Sequence, residues 1–326
     1  MADFHWVIKR ILKKTESELP VKLAGFLKQT WYLLNCSGTF KIATFALTIK
    51  SRNPKTIEEK ILYKMCKDRN PALKIYTDKI RVRNFVTEKI GDGYLTQSYG
   101  KHKSLKNLER ESLPLNFVVK ANHGSGALVI CWEGAPRNNK LPKDLSAITW
   151  QRFLIHPDDL DWIDLVNLTD KWMTLDYFWF KGKFPEWAYT DIDPCLLIEE
   201  VLTQNGELAE DYKFFMFNGT CEFIQVDITK FSQHKRNFYR PDWATIDATI
   251  IYPTSHVVQK PPELLGEMLE ISSRISAGMD FIRVDLYDSD QGIKFGELTN
   301  YPGCGTKTMR PRKTSENLAR NWKQDY

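Results

Sequence analysis

Two apolar, β-rich runs near the C-terminal end, FIRVDLY (281–287) and IKFGELT (293–299), flank the polar stretch Asp288-Ser289-Asp290-Gln291-Gly292. Such runs around turn-forming residues predict a β-hairpin. Centred near Gln291, the hairpin sets 283 against 299 and 285 against 297, and the side-chain period of two gathers Arg283, Asp285, Glu297 and Thr299 on one surface. Directly opposed side chains on an antiparallel pair are about 4.5–5.5 Å apart, where like charges repel. Two carboxylates placed there call for something positive between them. A hard divalent cation such as Mg²⁺ suits two acids, with water and phosphate oxygens completing its shell. On a solvated sheet face the same acids would simply point to water, and the spacing accommodates both readings.

The rest of the chain limits what can surround this hairpin. With 326 residues, 42% of them apolar and 13% aromatic, it can bury a substantial core. The six cysteines (Cys36, Cys66, Cys131, Cys195, Cys221, Cys304) are scattered without C-x-x-C or His-rich spacing, so they read as reduced packing residues and zinc is not expected. No apolar run approaches the roughly eighteen residues of a membrane span, and the opening stretch lacks the apolar core of a signal peptide. A cytoplasmic location is the resulting expectation. The net charge of +5 is concentrated at the start, where residues 1–60 carry 11 Lys/Arg against 5 Asp/Glu. Phe4, Val7, Ile8, Ile11 and Leu12 could line one side of a short helix ringed by Lys9, Arg10, Lys13 and Lys14. That pattern suits either an anionic membrane surface or a helix lying on its own domain, and no nucleic-acid partner is expected.

Along the chain, helical patterns come first. Residues 1–50 look mostly helical; NPKTIEEKILYKMCKDRNP then has Thr56 as N-cap, Glu59 as its capping-box partner and Asn70-Pro71 as a stop. TDKIRVRNFVTEKIGDG opens on Thr77 or Asp78 and closes at Gly91. From Leu113 the texture turns to strands: Phe117 to Lys120, Ala127 to Trp132, CLLIEEVL, DYKFFMFNGTCEFIQVDIT and the final hairpin, with PELLGEMLEISSRISAGM as an amphipathic helix between the last pairs. There is no regular βαβ alternation, which argues for an α+β class over a parallel doubly wound sheet.

Between the first two strands lies Ala-Asn-His-Gly-Ser-Gly (121–126), preceded by Lys120. Glycine-flanked N–H groups and one lysine are what a polyphosphate requires, although a hairpin turn uses the same glycines. GCGTKT (303–308) fails as a Walker A loop because Thr306 separates Gly305 from Lys307. Glu199 and Glu200 end an apolar strand, where a carboxylate and adjacent backbone could hold an adenine amino group, with Asp211 available for ribose hydroxyls. The same acids could simply mark where the strand leaves the core.

Taken in order, NPKTIEEKI, DKIRVRNFVTEKIG, FVVKANHGSG, EWAYTDIDPCLLIEEVL, DYKFFMFNG and FIRVDLY…FGELTNYPG resemble the ATP-grasp superfamily of carboxylate–amine ligases, in the branch related to the teichuronopeptide biosynthesis protein (TupA-like), over about Asn53 to Pro311. The resemblance implies an ATP-grasp fold, two α+β lobes gripping ATP. A helical region over 1–75 would precede a first lobe over 76–200, with its phosphate hairpin and adenine hinge, and a second over 201–326, with the metal-binding strands. It implies that Lys79 and Lys120 contact phosphate and that His123, Gly124, Ser125 and Gly126 form the loop over the nucleotide. Glu199, Glu200, Val201 and Leu202 would supply the adenine strand and Asp211 the ribose contact. Lys213 and Arg283 would serve the transferring phosphoryl group or the carboxylate. Asp285 and Glu297 would bridge two Mg²⁺ ions, with Mn²⁺ as a substitute, and Thr299 or Asn300 would stand where many relatives carry Glu-x-Asn. The implied partners are ATP, a saccharide or small-molecule carboxylate and an amine; the implied setting is a bacterial surface polysaccharide to which an amino acid is joined through a uronic acid.

Trp172, Tyr177, Phe178, Trp179, Phe180, Phe184, Trp187 and Tyr189 crowd one stretch that could stack a sugar or simply pack between lobes. Two other function classes remain. Asp288-Ser289-Asp290 is an Asp-x-Asp of the kind a nucleotide-sugar glycosyltransferase uses for a metal-bound diphosphate, and the basic first residues suit a non-catalytic anion-binding module.

Overall fold

A computed structural model describes residues 53–178, 186–228, 234–255 and 257–324. The basic stretch of Phe4 to Lys14 and the aromatics Trp179, Phe180 and Phe184 lie outside the described residues. Residues 54–326 form one compact unit. Its elements are α1 (Ile57–Lys67), α2 (Ala72–Thr77), α3 (Arg81–Ile90), β1 (Ser98–His102), β2 (Phe117–Ala121), β3 (Leu128–Cys131), β4 (Arg152–Ile155), α4 (Trp162–Met173) and β5 (Leu196–Glu199). There follow β6 (Thr203–Gln204), β7 (Glu207–Leu208), β8 (Glu210–Phe217), β9 (Thr220–Ile228), β10 (Lys235–Tyr239), β11 (Thr245–Ile246), α5 (Leu265–Ser276), β12 (Phe281–Ser289), β13 (Gly292–Thr299) and α6 (Arg312–Ala319).

The helix starts follow local chemistry. Thr56 and Glu59 close the expected capping box on α1, each side chain accepting the other's backbone N–H. The helix nevertheless stops at Lys67, before Asn70-Pro71, and Pro71 instead leads into α2. Asp78 accepts from the N–H groups of Ile80 and Arg81 and so anchors the start of α3, while Gly91 ends it at φ 91.

Two sheets carry the fold. The first has the order β1-β5-β2-β3-β4, antiparallel except for the β3–β4 pair. Phe117, Val119, Val129 and Ile198 pack with Trp172 and Leu165 of α4 in its core. The second has the order β11-β10-β9-β8-β12-β13 and is antiparallel throughout. One face is a continuous apolar core: Tyr212, Phe214, Met216, Ile224, Val226, Ile282, Val284 and Leu286 pack with Val82 and Val86 of α3 and with Met268, Ile271 and Ile275 of α5. Alternation forces every second residue to the other face. That face is divided, with Phe215, Phe217, Phe223 and Phe281 stacked around Trp322 at one end and Arg283, Asp285, Lys213, Asp227 and Arg236 at the other. The apolar core fixes which residues the charged half displays.

The C-terminal hairpin forms in the expected register at its open end, with Arg283 opposite Thr299 and Asp285 opposite Glu297. The turn is tighter than the five-residue stretch suggested, because the strands continue to Ser289 and Gly292 and leave only two residues between them. A bulge at Gly296 reconciles the two, since the pairing shifts between Asp285 and Leu286, which faces Phe295. Glycine is required at the bulge: a Cβ there would fall 2.8 Å from the Tyr287 ring.

Candidate active site

On the second sheet the positive group between the opposed acids is the neighbouring arginine. Arg283 donates to Asp285 through Nε and Nη2 at 2.7 and 2.6 Å, and the same Nη2 reaches Glu297 Oε1 at 3.0 Å. Asp285 is 3% exposed, and burial raises its carboxyl above the usual range; Arg283 opposes this and Glu297 adds to it. Glu297 is more open, with 41% of its side chain exposed. Burial would raise it too, but Arg283, Lys79 and Lys213 together hold it below its ordinary value. Thr299 donates to Glu297 Oε1 at 3.2 Å, so it stands beside the acid as the register requires.

Asn300 does not join them. Its amide donates to the Leu73 carbonyl at 2.9 Å and to Thr77 Oγ1 at 2.8 Å, and the side chain is 3% exposed, tying β13 to α2. Only the amide nitrogen is so engaged, and Oδ1 is buried without a hydrogen-bond partner among the described residues; the register that puts Thr299 on the acid face turns Asn300 to the other side. Lys213, opposite Asp285 on β8, ion-pairs with Asp211 and lies 3.2 Å from Asp227. Burial would lower Lys213, but Asp211 and Asp285 raise it. Arg236 and His234 close the row on Asp227 at 2.5 and 3.1 Å, and together with Lys213 they hold that acid well below the carboxylate range against its burial. Asp227, Arg236 and Arg83 carried no local sequence signal, because their partners come from other strands.

The first sheet contributes a different cluster. Glu199 ends β5 with Lys120 Nζ 2.7 Å from Oε2, Arg83 Nη1 2.5 Å from Oε1 and the Thr96 hydroxyl donating to the same oxygen. Its burial would raise the carboxyl, yet Lys120, Thr96 and Arg83 hold it low. Glu200 turns the other way, accepting from the Gln97 N–H at 2.7 Å and from Gln291 of the hairpin turn at 3.0 Å, which ties the two sheets at the strand exit. Val201 and Leu202 follow, half-buried, and the Leu202 carbonyl accepts from Ala209.

The loop after β2 is shaped by its own packing. His123 is 4% exposed, sits edge-on to Trp150 at 5.1 Å and has Nε2 3.2 Å from the Trp172 carbonyl. Its ring packs against the first sheet's core, so whatever His123 contributes to the loop comes from its backbone; burial pushes its pKa down. A Cβ on Gly124 would collide with the Trp150 ring at 2.2 Å, and Gly126 has φ 100 with Trp150's carbonyl 2.9 Å from any added Cβ. Ser125 alone of the three remains at the opening, beside Tyr177. Lys79 donates to the Gly124 carbonyl at 2.6 Å, and burial lowers its pKa.

Of the candidate residues, Lys79, Ser125, Arg283, Glu297 and Thr299 line one cavity of about 240 Å³ together with Tyr177, Glu186, Tyr189, Tyr301 and Cys304, whereas Lys120, Glu199, Asp211, Lys213 and Asp285 are not among its lining residues. Lysine, arginine and two acids converging on such a space can hold and polarise a phosphorylated ligand. Residues 59–323 match the family model described as TupA-like ATPgrasp.

This chain belongs to the TupA-like ATP-grasp family.

Its fold is thus the ATP-grasp fold anticipated from the order of motifs. Among solved structures, the chain is similar to D-alanine–D-alanine ligase from Bacillus anthracis (14% identity, 76% of this chain and 64% of that one, TM-score 0.41) and from Helicobacter pylori (14%, 77% and 60%, TM-score 0.40). It is also similar to the ATP-grasp ligase PsnB in complex with a minimal precursor (10%, 72% and 54%, TM-score 0.36). The chain spans less than two thirds of the length of these solved proteins. No curated protein matches it.

The TupA-like site has donors of the right kind for a metal-bound polyphosphate. Counting direct ion-pair partners only, two acids share one guanidinium on the second sheet, whereas Glu199 has two cations on the first. Among the described residues no three His, Cys, Asp or Glu side chains converge, so Asp285 and Glu297 would need water and phosphate oxygens to complete a shell. No helix among the described residues is long and apolar enough to cross a membrane.

Proposed function

We propose that this chain is an ATP-dependent carboxylate–amine ligase that works through an acyl-phosphate and releases ADP and phosphate. The observation that carries the reading is Arg283, clamped by Asp285 and reaching Glu297 at the mouth of a cavity that Lys79 also lines. In this reading a substrate carboxylate attacks the γ-phosphorus, and an amine then displaces phosphate to leave an amide. Mg²⁺, when bound at Asp285 and Glu297 with Thr299 beside them, neutralises phosphate charge. The chain's own contribution is positional: Asp285 fixes the plane of the Arg283 guanidinium, and Lys79 and Lys120 present ammonium groups to the phosphates. Glu199 to Leu202 and Asp211 hold adenine and ribose, and the halves 76–200 and 201–326 act as the two jaws. The substrates that fit the family are a uronic acid carboxylate of a surface polysaccharide or its precursor and an amino acid, handled in the cytoplasm.

The glycosyltransferase reading is weakened by Asp290. Its carboxylate accepts from Thr203 Oγ1 at 3.1 Å and from the Asn205 N–H at 2.9 Å, and its own N–H donates to the Thr203 carbonyl, so it fastens the hairpin turn to the start of β6. The test is ADP release over a panel of uronic acids and amino acids. A ligase requires both a carboxylate and an amine, so ADP formed equally with either alone, or none from any pair, counts against the proposal.

A further inference from the structure

The first sheet packs on α4 through one face, to which Val119, Val129, Cys131 and Ile198 belong. Alternation assigns the opposite face to Val118, Lys120, Leu128, Ile130 and Leu154. Pairing across β5, β2, β3 and β4 sets Leu197, Lys120, Leu128 and Arg152 in one transverse row, so Arg152 displays its side chain on the face that carries Lys120. Two strand spacings separate them, about 10 Å between backbones. The glycine loop 122–126 joins the two middle strands, with Lys120 at its entry. At its exit the Leu128 N–H donates to the Gln151 carbonyl at 3.2 Å, which fastens the start of β4, and with it Arg152, beside the loop.

An exposed arginine ordinarily needs no explanation, since most point to water. Arg152 differs from the cations around it. Lys120 and Arg83 close on Glu199, Lys79 on the Gly124 carbonyl, and Arg283 on Asp285 and Glu297, whereas Arg152 is exposed and has no hydrogen bond or ion pair among the described residues. Its charge nevertheless reaches the second sheet. Tyr287 shares a face of β12 with Asp285; burial raises its phenol most, Asp211, Glu297 and Asp285 add to this, and Arg152 opposes them. An anion bridged to those acids by a metal would bring its oxygens toward this guanidinium, whose planar fork takes two phosphate oxygens at once.

We infer that Arg152 is a further phosphate-binding residue, which grips the phosphate chain of the nucleotide from the exit side of the glycine loop while Lys120 holds it from the entry side. This adds a residue to those named above for ATP and rests on the nucleotide part of the ligase reading. No ion pair has to open for Arg152 to engage, so binding costs it only the ordering of its own side chain. Lys120, by contrast, must share its ammonium between Glu199 and the ligand.

The test is calorimetric titration of the purified full-length protein with ATP in the presence of Mg²⁺, at low and at raised NaCl. Arg152→Ala is expected to weaken ATP binding about tenfold at low salt, and Arg152→Lys, which keeps the charge without the fork, about threefold. Added salt should weaken the wild type more steeply than Arg152→Ala, because the variant has one charge fewer to screen. Melting temperatures should not change, since Arg152 has no protein partner to lose. ATP affinity within twofold of wild type for Arg152→Ala, or a loss that comes with a lowered melting temperature and an unaltered salt dependence, overturns the assignment of Arg152 and leaves the ligase reading intact. Failure of the wild-type protein to bind ATP removes the nucleotide reading and this inference with it.

Discussion

Each sheet carries a buried carboxylate cluster, and the two are balanced in opposite senses. Glu199 on the first sheet is one acid between two cations, Arg83 and Lys120, with Thr96 as a further donor, and its pKa is depressed despite burial. Asp285 and Glu297 on the second sheet are two acids around one guanidinium; Asp285 is raised, and Glu297 keeps an open side. Counting direct partners only, the first cluster has positive charge to spare and the second negative. In the proposed function, a ligand that is anionic along its length and carries a metal cation at one end would satisfy both at once. Neither cluster alone would distinguish this from an ordinary ion-pair network, since perturbed carboxylates also occur in purely structural ones.

The contrast breaks most sharply at Glu297. Glu297→Gln keeps the shape, leaves Arg283 paired with Asp285 and removes the spare negative charge. ATP turnover is expected to fall more than a hundredfold with little change in thermal stability, because the side chain is partly exposed. ADP release by the purified variant within tenfold of wild type would remove the metal role. On the first sheet the equivalent test is Lys120→Ala, which takes away the spare positive charge but leaves Glu199 paired with Arg83. A charge-assisted contact is worth about 1.5–3 kcal/mol, so ATP should bind at least tenfold more weakly by calorimetry. Unaltered affinity would make the Lys120–Glu199 pair purely structural.

How far this contrast could be read from residues alone depends on distance along the chain. The hairpin register was legible because period-two alternation and turn chemistry are local, and the compensating bulge sits at a glycine inside the strand. The capping box of α1 was legible for the same reason. The Glu199 cluster was legible only in part: Glu199 could be picked out at a strand exit, but its Arg83 partner lies 116 residues away and nothing near either residue announces the pair. The inward direction of the His123 ring was not legible, because Trp150, which packs against it and beneath Gly124, comes from beyond the next strand. The amide contacts of Asn300 were not legible either, because their acceptors on α2 lie 227 and 223 residues earlier.

A weaker effect sharpens the comparison through pH. The pKa of Glu199 is depressed on folding, so its contribution to stability is fully present above its unfolded value and is lost as pH falls through the folded one. Asp285 works in reverse. Its pKa is raised from 3.8 to about 7, so its contribution is present below the unfolded value and is lost as pH rises across that interval. The stability of wild type relative to Asp285→Asn should therefore decline by about 1 kcal/mol or more between those limits in urea melts. A flat difference would mean that Asp285 is charged throughout and that Arg283 neutralises it fully.

The smallest effect is expected at the hairpin turn, which belongs to neither cluster. Asp290→Ala removes two hydrogen bonds at an exposed site, to Thr203 and Asn205, and should cost roughly 0.5–1 kcal/mol in stability. ATP turnover should stay within twofold of wild type, because Asp290 serves to hold the turn against the start of β6 while Glu200 and Gln291 keep the sheets joined beside it. A glycosyltransferase using Asp288-x-Asp290 would instead lose its metal-dependent activity on a nucleotide sugar. A loss of ATP turnover comparable to that at Glu297 would mean that the turn reaches the ligand, and that the opposed acids on β12 and β13 are not where the negative surplus is used.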